Sequence, residues 1–433
     1  MNRRQLLIAA AALPSLTFCA RLFAAPASAP RTLLVFLRGG YDCNNLLVPY
    51  SSDFYYESRP TLAIARPEGH NPQSAIALDS HWGLNPVLRD SLYPLWQRQE
   101  LAFVPFAGTD DLSRSHFQTQ DTIEAGQPSQ QHRRYDSGFL ARLARQVPDS
   151  APIAFTDALP LSFQGGQEIP NLSLRSAGKT PFDKRQAAIL ASMYQHTPYA
   201  AAASDGLALR QKVSRDLQQE MLAANRGAAN AQSFAAQTRR MAGLMREHYR
   251  LGFVDVGGWD THVNQGSTQG QLASNLANLG QGLAAYAEAM GEHWKDSLVV
   301  VVSEFGRTFR ENGARGTDHG HGTVYWVLGG SIRGGRLAGE QVTVNAQSLL
   351  QNRDYPVLNN YRDLLGGLLG ATWGLSRAQV QAVFPVPGPR PWAWSDAVAE
   401  TPGCRQKKSD PRVCTKTRRA KIRQGKNRRG SGV

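Results

Sequence analysis

The sequence predicts an α/β protein, a doubly wound, mostly parallel sheet with helices on both faces and a helical insertion. Three features carry this reading. Short apolar runs without polar alternation recur along the chain, the pattern of strands covered on both faces. Stretches of helical periodicity separate them. Most of the runs give way to a polar, glycine-bearing loop, as expected where a rigid sheet edge builds a binding crevice.

Taken in order, the first run is 32–37 (Thr-Leu-Leu-Val-Phe-Leu), ended by Arg38-Gly39-Gly40. The runs 101–106, 251–256 and 298–302 read the same way, and 323–328, closed by Gly329-Gly330, is a fifth strand. Helices are expected over 138–146, 183–194, 271–295 and 361–370. Over 206–250, apolar residues at Leu209, Val213, Leu217 and Met221, then Met241, Leu244 and Met245, keep a three-to-four spacing around an interruption from Asn225 to Gln232. That pattern fits a long bent helix or a helical hairpin, the insertion, with Ala201 to Ala203 as a linker before it. The Pro-rich stretch 385–392 ends the folded body, placed at 31–400.

Composition limits what such a fold does. In 433 residues, 42% are hydrophobic and 19% charged, so the chain has material for a sizeable core and disorder is confined to its ends. The formal charge of +14 comes from those ends: residues 1–30 hold Arg3, Arg4 and Arg21 with no acid, and 403–433 hold 12 bases against Asp410 alone. The body is neutral and offers no stripe for specific nucleic-acid binding. Residues 1–29 have the order of a bacterial export signal: paired arginines, an Ala/Leu-rich run from Leu6 to Ala20, then small residues around Ala25 to Ala29. Arg3-Arg4 resembles the twin-arginine type, with a general secretory signal as the alternative. Pro14 interrupts a run short of the roughly 20 residues needed to span a membrane. A periplasmic or extracellular location follows, with the twin-arginine export machinery as a partner.

Donor residues collect after four of the predicted strands. Asp42 lies in Gly39-Gly40-Tyr41-Asp42 and Ser115 in Ser113-Arg114-Ser115-His116. Gly258-Trp259-Asp260-Thr261-His262 follows the third, Ser303-Glu304-Phe305-Gly306-Arg307 the fourth, and downstream sits Asp318-His319-Gly320-His321. Oxygen and nitrogen donors in this number suit a divalent ion, zinc or manganese, one or two of them. Taken singly, each has a plainer reading: Asp42 as a turn residue, Asp260 and His262 on a solvated loop, Glu304 in a salt bridge to Arg307 or another base, and His319 and His321 on a surface loop. Ser115 opens the expected helix 117–124, as a nucleophile whose anionic substrate meets the helix N-terminus or as an ordinary N-cap, with Ser113 competing for either role.

The stretches 35–45, 113–121, 258–262, 303–308 and 316–322 together resemble a family of exported bacterial proteins of unknown function grouped with the alkaline phosphatase and sulfatase superfamily. The resemblance implies an alkaline phosphatase-like fold, one or two divalent metals, and hydrolysis of a small anionic phosphate or sulfate ester. It implies metal ligation by Asp42, Asp260, His262, Glu304 and His319 or His321, and attack by Ser115; Arg307, beside Glu304, is a candidate oxyanion partner. The sequence departs from the superfamily's phosphatases in two places. A histidine follows Asp260 at two residues rather than several, and Phe305 stands where an Asp-His pair has its imidazole, so one imidazole ligand is missing. A single-metal or altered site, or a non-catalytic exported binding or assembly protein that keeps the fold, is the alternative.

The cysteines are structural in this reading. Cys43 lacks the Cys-x-Pro-x-Arg setting of a sulfatase nucleophile and reads as a small turn residue, while Cys404 and Cys414 are ten residues apart in the tail and suited to pairing after export. The basic tail 403–433 is expected to be disordered, as an inert extension or as an attachment to anionic lipid or surface polymer.

Overall fold

A strand whose consecutive side chains are apolar must be covered on both faces, and Arg31–Leu37 (β1) is buried at every position. The computed structural model describes residues 30–385 apart from 129–135, 166–167, 174–188, 190, 202 and 206–233. The export signal, the basic tail with Cys404 and Cys414, most of the 183–194 helix and most of the 206–250 insertion lie outside the described residues.

Three short strands, Leu47–Val48 (β2), Ile76–Ala77 (β3) and Gly83–Leu84 (β4), form a small antiparallel sheet. The main sheet adds Leu101–Gly108 (β5), Pro152–Ala154 (β6), Leu251–Val256 (β7), Ser297–Ser303 (β8), Thr323–Leu328 (β9), Arg336–Leu337 (β10) and Asn359–Asn360 (β11). Its order is β10-β5-β9-β8-β1-β7-β6, with β11 also on β5. Every pairing is parallel except those of β9, which runs antiparallel to both β5 and β8. The ladder of β5 slips between Val104 and Ala107, where Pro105 has no N–H to give and Phe106 takes a φ of 54°.

The helices include Asp53–Ser58 (α1), Tyr93–Gln97 (α2), His116–Ala125 (α3), Phe139–Gln146 (α4), Phe234–Glu247 (α5), Gln271–Met290 (α6), Tyr361–Trp373 (α7) and Arg377–Val383 (α8). Side chains alternate between faces along a strand, and two cores result. Leu33, Val35, Val299 and Val301 pack with Met241 and Met245 of α5 and Leu272, Leu276 and Leu279 of α6. Leu34, Phe36, Val300 and Val302 pack on the other side with Leu140 and Leu143 of α4 and Leu364 and Leu368 of α7. Helices therefore cover both faces, as the sequence predicts. The helix expected over 271–295 ends at Met290 and tightens into a 3-10 segment, Gly291–Asp296.

The reversed β9 matters most for function. Because β8 ends and β9 begins at the same sheet edge, the whole loop 304–322 stays at the carboxyl ends of β1, β5 and β7. An isolated antiparallel bridge between Arg307 and His319 folds that loop back on itself.

Candidate metal centre at the carboxyl edge of the sheet

Four segments meet at this edge. Two need close backbone approach: Gly39 has φ of 122°, and a Cβ there would stand 2.8 Å from the backbone nitrogen of Asp260. The β5 segment continues through Asp111 and Ser113 into α3, which opens at His116 and stops at the left-handed cap Gly126.

Ligand atoms of His116, Asp260 and His319 lie within 4.8 Å of one another. His116 Nε2 is 3.0 Å from His319 Nε2, His319 Nε2 is 3.2 Å from Asp260 Oδ1, and His116 Nε2 is 3.6 Å from Asp260 Oδ2. Donors bound to zinc at about 2.0–2.2 Å in a tetrahedron are about 3.3–3.6 Å apart, so the three outline one face and leave a fourth position open. His262 extends the group, its Nε2 being 3.2 Å from His319 Nε2 and 2.9 Å from Asp260 Oδ1.

The far nitrogen of each ring fixes the near one. Nδ1 of His116 faces Glu304 Oε1 at 2.9 Å, Nδ1 of His319 faces the Arg114 carbonyl at 3.1 Å, and Nδ1 of His262 faces Asp318 Oδ1 at 3.4 Å. These oxygens only accept, so each Nδ1 carries the hydrogen and each Nε2 turns a lone pair toward its neighbours. Lone pairs facing at such distances call for a cation between them, a proton or a metal. The donor set fits a divalent ion on this ground.

Electrostatics agree. The hydrogen bond to Glu304 raises the pKa of His116 against the opposing effect of burial, so a metal at Nε2 would compete with a proton for that lone pair. Burial lowers the pKa of His319, and the charges of His116 and Arg307 lower it further. Burial works to raise Asp260, but the hydrogen bond and charge of Arg307 outweigh it and hold the carboxyl below its usual range.

Several sequence expectations change. Glu304 is fully buried, and its Oε1 accepts from His116, from Gln120 Nε2 at 2.9 Å and from the Gly39 N–H at 2.8 Å. It orients a ligand rather than joining the convergent set, and its partner is His116, not Arg307. Burial works to raise its pKa, but these hydrogen bonds together lower it. Replacing Glu304 with Gln is expected to weaken zinc binding by about 10–100-fold, the usual effect of losing such an orienting carboxylate, as read by competition with a chromogenic chelator.

Asp42 does not join the cluster either. In place of a metal it meets a guanidinium: Arg59 Nη1 donates to its Oδ2 at 2.6 Å and Nη2 to its Oδ1 at 3.0 Å, with both residues fully buried. Gln265 Nε2 also donates to Asp42, while its Oε1 accepts from Thr261 at 2.9 Å and Thr317 at 2.8 Å. This buried network thereby ties the loops that carry Asp260 and His262 to the loop that carries His319. Arg307, the expected oxyanion partner, is likewise engaged. Its guanidinium is buried and donates to Asp260 Oδ1 at 2.5 Å, to the Gly39 carbonyl at 2.6 Å and to the carbonyls of Gly40, Trp259 and Thr317.

His321 is set apart from the cluster and buried beside Asp111 and Arg114, where burial first and the Arg114 charge second lower its pKa to about 4. The unfolded histidine takes a proton near pH 6.5, whereas the folded one resists it until about pH 4, so this group's stabilisation is present above 6.5 and lost as pH falls between the two. Metal-stripped protein is expected to lose roughly 3 kcal/mol through this window, as read by denaturant melts. His321→Gln should remove that part of the dependence.

Ser115 occupies the N-cap position of α3 but its side chain makes no capping hydrogen bond, leaving the hydroxyl uncommitted one residue before His116. The Ser113 hydroxyl is engaged, 3.4 Å from that of Thr119 and accepting from the Ser115 N–H at 3.3 Å. Cys43 is buried, and burial pushes its thiol up to about 12, consistent with a structural residue. Sequence reasoning passed over His116, which supplies from the start of α3 the imidazole counted as missing after Glu304. The signal was its place, at the start of the helix that follows β5 and four residues before Gln120, which shares its carboxylate.

The family model described as "Protein of unknown function (DUF1501)" matches residues 103–384. No curated protein matches the sequence. Among solved structures, the chain is similar to a protein in the alkaline phosphatase superfamily from Vibrio parahaemolyticus, at 10% identity and a TM-score of 0.39, covering 80% of this chain and 67% of that one. It is also similar to the soluble domain of lipooligosaccharide phosphoethanolamine transferase A from Neisseria meningitidis, at 12% identity and a TM-score of 0.36, covering 84% and 96%. A third is the C-terminal periplasmic domain of EcEptC from Escherichia coli in complex with Zn, at 9% identity and a TM-score of 0.32, covering 70% and 73%.

Proposed function

The chain belongs to the family described as "Protein of unknown function (DUF1501)", and from that premise and the site's chemistry we propose that it is a metal-dependent hydrolase of phosphate or sulfate esters. The observation that carries this is the convergence of His116 Nε2, His319 Nε2 and an Asp260 oxygen, with Ser115, whose hydroxyl makes no capping bond, one residue before His116. His116, Asp260 and His319 would hold the ion, with His262 beside them. A bound zinc or manganese ion would supply Lewis-acid polarisation of the ester and offset its negative charge.

The chain's own residues supply the rest. Ser115 Oγ attacks the phosphorus or sulfur as the bond to the ester oxygen breaks. The alcohol leaves with the proton given up by the serine, and water then cleaves the Ser115 ester to release phosphate or sulfate and restore the hydroxyl. Ser115 sits at the positive end of the ten-residue helix α3, whose first free N–H groups favour an anionic ester oxygen. Glu304 holds His116 in the required tautomer, and Arg307 fixes the Asp260 carboxylate from behind. With the metal supplied in excess, Ser115→Ala is expected to lower kcat by at least about 10³-fold on the preferred ester, in line with the loss of other serine nucleophiles. Phosphate monoesters, phosphate diesters and sulfate esters are the substrates to assay.

A second reading, a non-catalytic binding or assembly protein, is favoured by one contact. Arg307 already neutralises Asp260 from within the protein. Metal retention by wild type without turnover of any ester class would select it. The proposal also places the protein outside the cytoplasm, on the strength of the Arg3-Arg4 leader. No helix among the described residues is long and apolar enough to cross a membrane. The export machinery, and an anionic polymer or lipid bound through 403–433, are partners under the same proposal.

A further inference from the structure

Seven large apolar side chains are exposed among the described residues, and three of them flank the metal centre. Phe117, 84% exposed, directly follows His116, and Val263, 59% exposed, directly follows His262. Leu112, 53% exposed, lies on the short loop that leads to His116. The other four fall within 189–199. Single exposed apolar residues are ordinary, but three on the segments that carry the ligands of one site put apolar surface next to those ligands in the chain.

The charges around the site point the same way. Its arginines are already engaged: Arg307 by Asp260, Arg114 by Asp354, Arg59 by Asp42, and Arg38 by Glu124 and Asp255. Two acids at the centre are about half exposed, Asp260 at 47% and Asp318 at 53%. A polyanion would meet these two carboxylates at the centre, with Arg315 exposed further along the same loop. Such a mouth suits a molecule whose negative charge is confined to the one group at the metal.

Resting on the ester-hydrolase reading, we propose that the substrate is an amphiphilic ester, a single phosphate or sulfate headgroup carrying an aryl or alkyl substituent, and that Leu112, Phe117 and Val263 bind this apolar part. A membrane lipid and a soluble alkyl or aryl ester share that chemistry.

The test uses unreactive ligands, so it does not depend on turnover. Methyl-, butyl- and octylphosphonate are titrated calorimetrically into the zinc-reconstituted full chain, the Phe117→Ser/Val263→Ser double variant and His319→Ala. In wild type, affinity should rise about two- to fourfold per methylene, and the double variant should flatten that slope. A flat slope in wild type, or an unchanged slope in the double variant, would overturn the proposal. The ester reading is judged separately. If methylphosphonate binds wild type and His319→Ala equally, the headgroup does not need the metal centre and that reading fails, while a slope lost in the double variant still supports the apolar contact. A second arm uses phosphatidic acid in phosphatidylcholine vesicles. Vesicle binding that the double variant loses assigns a lipid source, and octylphosphonate binding without vesicle binding assigns a soluble ester, each supporting the apolar contact.

Discussion

Arg59→Met should destabilise the protein by about 3–5 kcal/mol, the usual penalty for leaving one member of a buried ion pair without its partner. Both side chains are fully excluded from solvent, and Arg59 makes a two-pronged contact with Asp42 while also donating to the carbonyls of Phe309 and Thr308. Removing the guanidinium strands a carboxylate with only the Gln265 amide and the Asn44 groups to solvate it. Replacing both partners, as in Asp42→Leu with Arg59→Met, should be much milder than the sum of the single changes, because no charge is left behind. A double-mutant cycle by denaturant melts reads this directly. Additive effects would show that the pair is not the buried unit described.

The second large effect is on metal affinity. Structural zinc sites bind with roughly 10–16 kcal/mol, so one of three or four ligands accounts for roughly 3–4 kcal/mol, or about 10²–10³-fold in affinity. His319→Ala should lose at least this much. Its Nε2 is the atom that His116, His262 and Asp260 all approach, and its removal leaves no point where the remaining donors meet as closely. His321→Ala, two residues along, should change zinc affinity little, since that imidazole is turned to the Asp111 backbone.

The sheet was legible because its physics is local. Four consecutive valines, Val299 to Val302, have no stable place but a strand buried on both faces, and the strand is there. The direction of Thr323–Leu328 was not legible, since an apolar run reads alike both ways and only the tertiary path of 304–322 reverses it. The site was half legible. Asp260, His262 and His319 meet as the donor pattern suggested, because each follows the end of a central strand. Asp42 looked the same from sequence, but its fate was decided by Arg59, 17 residues on. A guanidinium that reaches a buried carboxylate leaves no room for a second cation. His116 was missed for the opposite reason. It sits in the first turn of α3, in a stretch whose serines drew the attention, and only the fold brings its two nitrogens between Glu304 and His319.

Anomalous diffraction from crystals of the zinc-loaded protein locates the bound cation directly. The expected result is one anomalous peak at about 2.0–2.2 Å from His116 Nε2, His319 Nε2 and an Asp260 oxygen, absent from crystals of His319→Ala. A peak on Asp42, or no peak between the three ligands at full zinc loading, would contradict it.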